Sequence, residues 1–405
     1  MVNSPTTIQK IEEHPSDGLL CVQFSGDEHS LYPYVWLRDN APHAGTMMKT
    51  ERAHQRVMLL ADLDVEIRPT KPIELSSDRS SVKIQWPDVP ITVEYSVDWL
   101  YDRRFGAQEV THRRDKLRYS EREMWSADKM AEILKPTDYQ RCLKDPAYLL
   151  NALEFFLRYG LLHWRNIPQE EGQVVKLGRT LFGYICSCYY GDTFTVRYKG
   201  SGVSNVAYTT GALGYHTDLN SLETPPQIQI LHTIKQAGQG GENQLCDGLR
   251  VATQIRKEKP EVFKILTDFE LEYVDCGEDA CKYYITTKRP TIELDKNGEI
   301  RTVHHHQHAR SWHMDCDAKY AIEVYRALKT LAEYCYKPDN TFNIKTQAGD
   351  ALMFANNRVF HGRSAFSIEE GEERHLQGTY YDWDSVKSKA RVLRRELGLD
   401  VTPAM

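Results

Sequence analysis

Two histidines and one aspartate are the residues of this chain best suited to hold a metal ion. His216 and Asp218 lie two apart in GALGYHTDLN, so on a strand or its extended end their side chains point to one face. His361 ends an apolar run in NNRVFHGRSAF. Two imidazoles and one carboxylate on one face of a metal form the facial triad of non-haem Fe(II) oxygenases, which leaves coordination positions open for a co-substrate and oxygen.

The same pattern has structural alternatives, because a His-x-Asp pair can occur by chance in a chain of 405 residues. His216 could be a hydrogen-bonded loop histidine, and Asp218 could belong to a turn or a helix cap. Arg374, 13 residues after His361, favours the iron site, because its guanidinium could pair with the far end of a dicarboxylate through two hydrogen bonds. The alternative for Arg374 is a surface ion pair within the glutamate-rich EEGEER.

A second candidate metal site is the run TVHHHQHAR, which places four histidines between positions 304 and 308. On the return strand of a predicted hairpin, His304, His306 and His308 would share one face and could bind zinc or copper. A cupin-type site would also need a glutamate a few residues later, and ARSWHM has none. A solvated or buried strand and a wall of the substrate pocket are the favoured interpretations.

Composition and charge exclude several classes of partner. The net charge is −6 and no long basic run occurs, so nucleic-acid binding is not expected. No apolar stretch approaches 18 residues, so no membrane span is expected. The segment MVNSPTTIQKIEEHPSDG resembles neither a secretory signal nor a mitochondrial presequence, and nine cysteines without a framework indicate reduced thiols. These features predict a cytoplasmic protein.

The elements that must position the candidate residues fall into two predicted domains. Residues 1–105 contain short β-branched and aromatic runs separated by turns, which predicts a small β domain. Residues 106–124 are polar and densely charged, as in a linker. Residues 125–405 mix helices and strands without strict alternation and include a hairpin with Asn297-Gly298 at its turn, which favours an α+β architecture with an antiparallel sheet.

Several stretches together resemble the γ-butyrobetaine dioxygenase family, whose sister is trimethyllysine dioxygenase. They are SLYPYVWLRDN, IQWPD, NVAYTTGALGYHTD, TPPQIQILHTIKQ, FHGR and RHLQGTYYDWDSVKSKARVLRR, and they extend over nearly the whole chain. The resemblance implies a small N-terminal β domain followed by a double-stranded β-helix (jelly-roll, cupin-like) domain with flanking helices. It also implies Fe(II)- and 2-oxoglutarate-dependent hydroxylation by an oxidoreductase.

The resemblance assigns roles residue by residue. The His-Asp-His set described above would be the iron ligands, and Arg374 would pair with the far carboxylate of 2-oxoglutarate. Asn205 and Leu231 match positions that line the co-substrate pocket. The family holds a trimethylammonium group in an aromatic cage, and the matching positions are Tyr190, Phe194, Tyr208 and Tyr380.

The sequence departs from the family at three places. Phe194 stands where the family usually has tryptophan, the strongest cation–π partner, so the cage could be weaker or fit a different head group. The N-terminal cysteines that usually bind a structural zinc are absent, and His43 alone cannot build a tetrahedral site, so no zinc is expected. His306 or Gln307 stands where the family places amides near the substrate carboxylate.

The expected reaction is therefore hydroxylation of a quaternary ammonium substrate by O₂, with γ-butyrobetaine to L-carnitine as the best assignment. Within the same class, the substrate could be trimethyllysine or another betaine. A non-catalytic paralogue that binds a quaternary ammonium ligand and a zinc hydrolase built on the histidine run are alternatives from other classes. The resemblance implies a homodimer and leaves a need for ascorbate open.

Overall fold

The computed structural model describes residues 7–26, 28–43, 45–49, 54–118, 121–197, 209–368 and 373–399. Two of the predicted site residues, Asn205 and Tyr208, lie outside these ranges. The described chain divides into two compact units, an N-terminal unit up to residue 118 and a C-terminal unit from residue 121. No helix within the described ranges is long and apolar enough to cross a membrane.

The N-terminal unit is built from short strands in three small sheets, ordered β1-β2-β3, β4-β5 and β6-β7-β8. Its strands are β1 Ile8–His14, β2 Leu19–Phe24, β3 His29–Pro33, β4 Met47–Lys49, β5 His54–Arg56, β6 Glu74–Leu75, β7 Ser81–Gln85 and β8 Thr92–Ser96. Its helices are α1 Tyr34–Asp39, a 3-10 turn Leu60–Asp62, α2 Val97–Tyr101 and α3 Gln108–Arg118. Helix α3 thus occupies much of the segment for which the sequence predicts a linker.

A buried arginine joins two motifs of the N-terminal unit. Arg38, in the WLRDN helix α1, is buried, and its Nε and Nη2 donate to the carboxylate of Asp88 in the WPD turn at 2.9 and 2.6 Å. Its Nη1 donates to the Thr46 hydroxyl at 2.7 Å. A planar guanidinium that pairs with a carboxylate through two bonds fixes distance and direction, so this contact holds helix and turn together.

The C-terminal unit contains two principal sheets. Its strands are β9 Thr137–Asp138, β10 Leu161–Arg165, β11 Phe194–Arg197, β12 Leu213–His216, β13 Ile228–Lys235, β14 Gln239–Gly240, β15 Asn243–Asp247, β16 Glu270–Glu278, β17 Lys282–Pro290, β18 Ile292–Leu294, β19 Ile300–Val303, β20 Phe342–Ile344, β21 Ala351–Ala355, β22 Val359–Arg363, β23 Phe366–Ser367 and β24 His375–Tyr381. One sheet has six strands in the order β11-β24-β13-β21-β10-β9, and the other has four in the order β12-β22-β15-β20. Their pairings are antiparallel except β9–β10.

Helices cover the outer face of each principal sheet. They are α4 Ala127–Ile133, α5 Tyr139–Cys142, α6 Pro146–Tyr159, α7 Gln173–Leu181, α8 Gly248–Glu258, α9 Pro260–Asp268, α10 Ala318–Cys335 and α11 Trp383–Glu396. Apolar residues of α6, α7 and α11 pack on the six-stranded sheet, and those of α8, α9 and α10 pack on the four-stranded sheet. Helix α6 follows its sequence signals, since Asp145 caps it, Pro146 starts it and Gly160 ends it at φ 71°.

The period of two along the central strands sends alternate side chains to two different environments. On β13 and β21, Ile230 and Met353 face the helices, whereas Leu231 and Leu352 face the interior between the sheets. The ring of Phe354 on β21 lies 4.6 Å from the ring of His361 on β22, so the inner faces of the two sheets meet there. The functional side chains project into this inner space.

The prediction of mixed helices and antiparallel strands, with small strands in the N-terminal part, is confirmed. The hairpin around Asn297-Gly298 is also confirmed, as β18 and β19. The prediction that His304, His306 and His308 share one strand face is wrong, because β19 ends at Val303. Val303 pairs with Ile292, the first residue of β18, and only Thr291 separates Ile292 from Pro290 at the end of β17. Strand β18 therefore offers no residue with which the histidine run could pair.

Candidate active site

The register between β12 and β22 brings the two histidines of the proposed triad together. His216 is the last residue of β12, and its cross-strand partner is His361 in the middle of β22. Directly opposed residues of an antiparallel pair lie side by side on one face of the sheet. The two imidazole centroids are accordingly 4.0 Å apart, although 145 residues separate them along the chain.

Asp218 completes the cluster from the turn that follows β12. Its Oδ1 lies 3.2 Å from His216 Nε2 and 3.7 Å from His361 Nε2. The backbone N–H of Asp218 donates to Asn356 Oδ1 at 2.7 Å, and Asn356 Nδ2 donates to the Asp218 carbonyl at 3.0 Å. The next residue, Leu219, has φ 60°, a left-handed backbone conformation that costs free energy. Such a conformation is typical of a tight turn, and this turn directs the Asp218 side chain towards the two histidines.

The electrostatics and orientation of these side chains fit a bound metal ion. Burial and then the neighbouring His216 lower the pKa of His361 to about 3, so this imidazole is neutral at pH 7. Burial opposes ionisation of Asp218, but the adjacent His216 and His361 outweigh it and lower the Asp218 pKa. The Nδ1 of His216 lies 2.9 Å from the Gly214 carbonyl, an arrangement that leaves Nε2 free as a ligand.

This donor set fits a divalent metal ion. One nitrogen from each histidine and one oxygen from Asp218 lie within 4.8 Å of one another, and no other such group occurs among the described residues. Two imidazoles and one carboxylate from adjacent positions of a strand pair favour Fe(II) in a site that keeps open positions.

The histidine run lies directly behind this cluster. Thr217, between the two upstream cluster residues, donates its N–H to the His305 carbonyl at 2.7 Å, and His305 N donates to the Thr217 hydroxyl at 3.1 Å. His304 points elsewhere, with Nε2 3.2 Å from Glu293. The His306 ring lies 4.8 Å from the His216 ring, so the run supports the triad and contributes a cavity wall.

A cavity of about 270 Å³ opens from the cluster between the two principal sheets. This volume suits a small molecule together with a co-substrate. The six-stranded sheet contributes Phe194, Val196, Gln229, Leu231, Leu352, Phe354, Leu376 and Tyr380 to its lining. The four-stranded sheet contributes Leu213, His216, Asn243, Leu245, His361, Gly362 and Arg363. Other segments add Tyr190, Asp218, Leu219, Asn220, Ser221, Val274, Asp275, His306, His308, Ala309 and Arg374.

Two buried arginines give one wall of the cavity a strong positive charge. Arg374, directly before β24, is 3% exposed, and its guanidinium lies 5.0 Å from the Phe366 ring. Arg363 lies 4.7 Å from the same ring and donates Nη2 to the Thr209 carbonyl at 2.5 Å. Burial lowers the pKa of Arg374 to about 10, with a further contribution from Arg363.

No described residue forms an ion pair with either arginine, and Arg374 Nε has no hydrogen-bond partner there. The surface ion pair considered for Arg374 is therefore absent from the described part of the chain. A buried guanidinium without a partner costs free energy that an anionic ligand recovers.

Aromatic rings form another wall. Phe194 on β11 stacks on Tyr380 of β24 with centroids 5.2 Å apart, and Tyr190 lies 6.3 Å from Phe194. The Phe194 ring rests on Gly378, its cross-strand partner, where a side chain would collide with it. The Tyr380 hydroxyl donates to Asp218 Oδ2 at 2.9 Å, so one residue belongs to both the aromatic wall and the acidic cluster.

The structure brings together the predicted site residues that lie within its described ranges. His216, Asp218, His361, Leu231 and Arg374 line the cavity, as do Tyr190, Phe194, Tyr380 and His306. Sequence reasoning missed Arg363, although its position two residues after His361 on a strand was a usable signal. It also missed Asn356 and Asp275, whose roles depend on contacts distant in sequence.

Comparison with known proteins shows which family the chain belongs to. Residues 140–380 match the family described as "Taurine catabolism dioxygenase TauD, TfdA family", and residues 11–101 match "Gamma-butyrobetaine hydroxylase-like, N-terminal". The γ-butyrobetaine dioxygenase of Homo sapiens is 32% identical over 392 residues, which are 96% of this chain and 98% of that protein. The chain belongs to the γ-butyrobetaine dioxygenase family.

Other relatives of the γ-butyrobetaine dioxygenase family extend over similar lengths. The γ-butyrobetaine dioxygenase of Pseudomonas sp. (strain AK-1) is 30% identical over 89% of this chain and 90% of its own. The mitochondrial trimethyllysine dioxygenase of Bos taurus is 30% identical over 89% of this chain and 82% of its own. The resemblance found in the sequence motifs is confirmed, and the chain is a dioxygenase.

Asn356 provides a test of how the Asp218 turn is held. We expect Asn356→Ala to weaken Fe(II) binding by roughly 10-fold or more, because Asp218 loses the two hydrogen bonds that orient it. The measurement is anaerobic titration of the purified chain with Fe(II). Asn343→Ala is the matched control, since Asn343 is exposed and bonds only Gln244 among the described side chains. Equal affinity in the two variants would contradict the role of Asn356.

Proposed function

We propose that this chain is an Fe(II)- and 2-oxoglutarate-dependent dioxygenase that hydroxylates a small trimethylammonium substrate. The observation that carries the proposal is the convergence of His216 Nε2, His361 Nε2 and Asp218 Oδ1 in a cavity that also contains the buried Arg374, which has no ion-pair partner among the described residues. Our best assignment of substrate and product is γ-butyrobetaine and L-carnitine. The names of relatives across nearly the full chain support it.

The His-Asp-His cluster would hold the iron. Iron bound there supplies the activation of O₂, by which 2-oxoglutarate is converted to succinate and CO₂ while a C–H bond of the substrate is hydroxylated. The residues around it keep the ligands in place: Gly214 orients His216, and Tyr380 and Asn356 orient Asp218.

Arg374 would hold the far carboxylate of 2-oxoglutarate. Its guanidinium is buried beside that of Arg363, and two like charges at close range favour a ligand with a full negative charge. Leu231 supplies an apolar part of the cavity wall that the co-substrate would contact. Asn205 is proposed as a further contact with the co-substrate by resemblance.

The aromatic wall would receive the trimethylammonium group. This cation has no N–H to donate, so ring faces attract it through their quadrupole, and exclusion of water strengthens the effect. Tyr190, Phe194 and Tyr380 supply rings, and we propose Tyr208 as the fourth. His306 would contact the substrate beyond the head group. Because Tyr380 bonds Asp218, the aromatic wall and the metal cluster keep a fixed separation, and a substrate held by the wall would present a C–H bond to the cluster.

Features beyond the reaction are also proposed. The two principal sheets, with inner faces meeting at Phe354 and His361, support a double-stranded β-helix for residues 125–405. We propose a cytoplasmic homodimer without structural zinc, in which ascorbate could assist turnover. The second candidate substrate is trimethyllysine, because relatives named trimethyllysine dioxygenase reach 30% identity.

Turnover of 2-oxoglutarate tests the reaction directly. We expect purified chain with Fe(II) to release succinate in step with hydroxylated product when γ-butyrobetaine is added. His216→Ala should lower this rate by at least about 100-fold, because one of the three metal ligands is lost. Both products are measured by mass spectrometry.

The exposed His313 offers a matched control, and His313→Ala should keep the wild-type rate. If trimethyllysine stimulates succinate release and γ-butyrobetaine does not, the proposed substrate is wrong and the proposed reaction type is supported. Equal turnover in wild type and His216→Ala would refute the iron site.

Gly378 tests the aromatic wall without altering an aromatic residue. A Cβ at this position would lie 2.2 Å from Phe194 Cζ, so Gly378→Ala must displace the ring. We expect the KM for γ-butyrobetaine to rise roughly 10-fold, a loss within the range of one cation–π contact. The Kd of 2-oxoglutarate, measured by anaerobic calorimetry, should change little.

Gly211→Ala is the control for this substitution, because its Cβ would meet nothing closer than 3.7 Å. An unchanged KM in Gly378→Ala would show that the Phe194 ring does not contact the substrate.

A further inference from the structure

A carboxylate outside the metal cluster borders the aromatic wall. Asp275 lies on β16, whose hairpin with β17 covers one side of the cavity, and it is half-buried among the lining residues. The Tyr189 hydroxyl donates to Asp275 Oδ2 at 2.6 Å. This bond fixes the orientation of the carboxylate and leaves its other oxygen available.

The surroundings of Asp275 are aromatic. The ring of Tyr189 lies 4.5 Å from that of Tyr190 and 4.2 Å from that of Tyr283. Tyr190 in turn contacts Phe194. The pKa of Tyr190 is raised, first by burial and then by the negative charge of Asp275, which indicates that this charge is felt at the aromatic wall. A charge near apolar rings is less screened than one in water.

No cationic side chain among the described residues neutralises Asp275. None of their lysine, arginine or histidine nitrogens lies within 4.0 Å of its carboxylate. The cavity does contain two arginines, but both stack near Phe366 and neither pairs with Asp275. The lining therefore carries unpaired charges of both signs, a negative one at the aromatic wall and positive ones elsewhere.

We propose that Asp275 is a specificity-determining residue that selects a permanently cationic head group over a neutral group of the same shape. This inference rests on the proposed function, since it assumes that the aromatic wall receives the head group. Ring faces and apolar contacts alone accept a trimethylammonium group and a tert-butyl group of nearly equal size. Only the trimethylammonium group gains Coulomb attraction from the carboxylate, so Asp275 widens the difference in affinity.

Tyr189 acts as a positioning residue in this arrangement. Its hydroxyl holds the carboxylate, and its ring packs against Tyr190. A tyrosine that both packs and donates a hydrogen bond keeps the charge close to the rings without neutralising it.

The test compares two ligands that differ only in charge at the head. The affinities of γ-butyrobetaine and of 5,5-dimethylhexanoate, its isostere with an uncharged tert-butyl head, are measured by anaerobic calorimetry on the full chain loaded with Fe(II) and 2-oxoglutarate. We expect wild type to prefer the betaine. Asp275→Asn, which can still accept the Tyr189 hydrogen bond, should reduce that preference by roughly 10-fold and leave the affinity for the isostere unchanged.

Two further variants distinguish the effect of the charge at Asp275 from other effects of substitution. Asp275→Glu keeps the charge and should keep most of the preference. Asp279→Asn removes one negative charge from an exposed position of the same hairpin and should change neither affinity. If Asp275 has a purely structural role, Asp275→Asn should lower the affinities for both ligands to a similar extent.

The outcomes separate this inference from the proposed function. If Asp275→Asn keeps the wild-type preference for the betaine, the role of Asp275 is refuted and the proposed function stands. If wild type binds both ligands equally, Asp275 does not select charge, and the role is again refuted. If wild type binds neither ligand, the proposed substrate is wrong, and the role assigned to Asp275 is wrong with it.

Discussion

The cross-strand pairing of His216 with His361 is the contact on which the rest of the site depends. A shift of one residue between β12 and β22 would send one imidazole to the opposite face of the sheet and separate the metal ligands. The flanking contacts act on this register: Asn356 holds the turn that carries Asp218, and Thr217 ties it to the histidine run. The helices outside the sheets contribute by keeping the two strands packed.

Charge is divided within the cavity in a way that matches its proposed ligands. The buried Arg363 and Arg374 favour an acidic co-substrate, the two imidazoles and the ionised Asp218 favour a metal dication, and Asp275 favours a cationic head group. Arg363 and Arg374 each keep buried guanidinium nitrogens without a hydrogen-bond partner among the described residues. Buried charges of this kind lower the stability of a protein, so their cost is balanced when the ligands bind.

The sequence predicted the parts of this site that have local signals. The two-residue spacing of His216 and Asp218, the apolar strand before His361 and the capped helix α6 follow from periodicity and end signals. Arg374 was proposed from its guanidinium chemistry and its position after His361, and resemblance assigned it the same role. The histidine run was predicted to lie on a strand because an alternating sequence pattern does not show where strand pairing ends. Strand β19 ends at Val303, which pairs with Ile292, the first residue of β18. Asp275 carried no signal, since its importance arises from Tyr189, 86 residues away.

The proposed iron site is tested most directly by anomalous diffraction from crystals loaded anaerobically with Fe(II). Data are recorded on both sides of the iron absorption edge. We expect one iron peak at about 2.0–2.3 Å from His216 Nε2, His361 Nε2 and an oxygen of Asp218. The peak should adjoin the cavity that contains Arg374. An iron peak on the histidines between His304 and His308, with His216 and His361 unligated, would contradict the central claim.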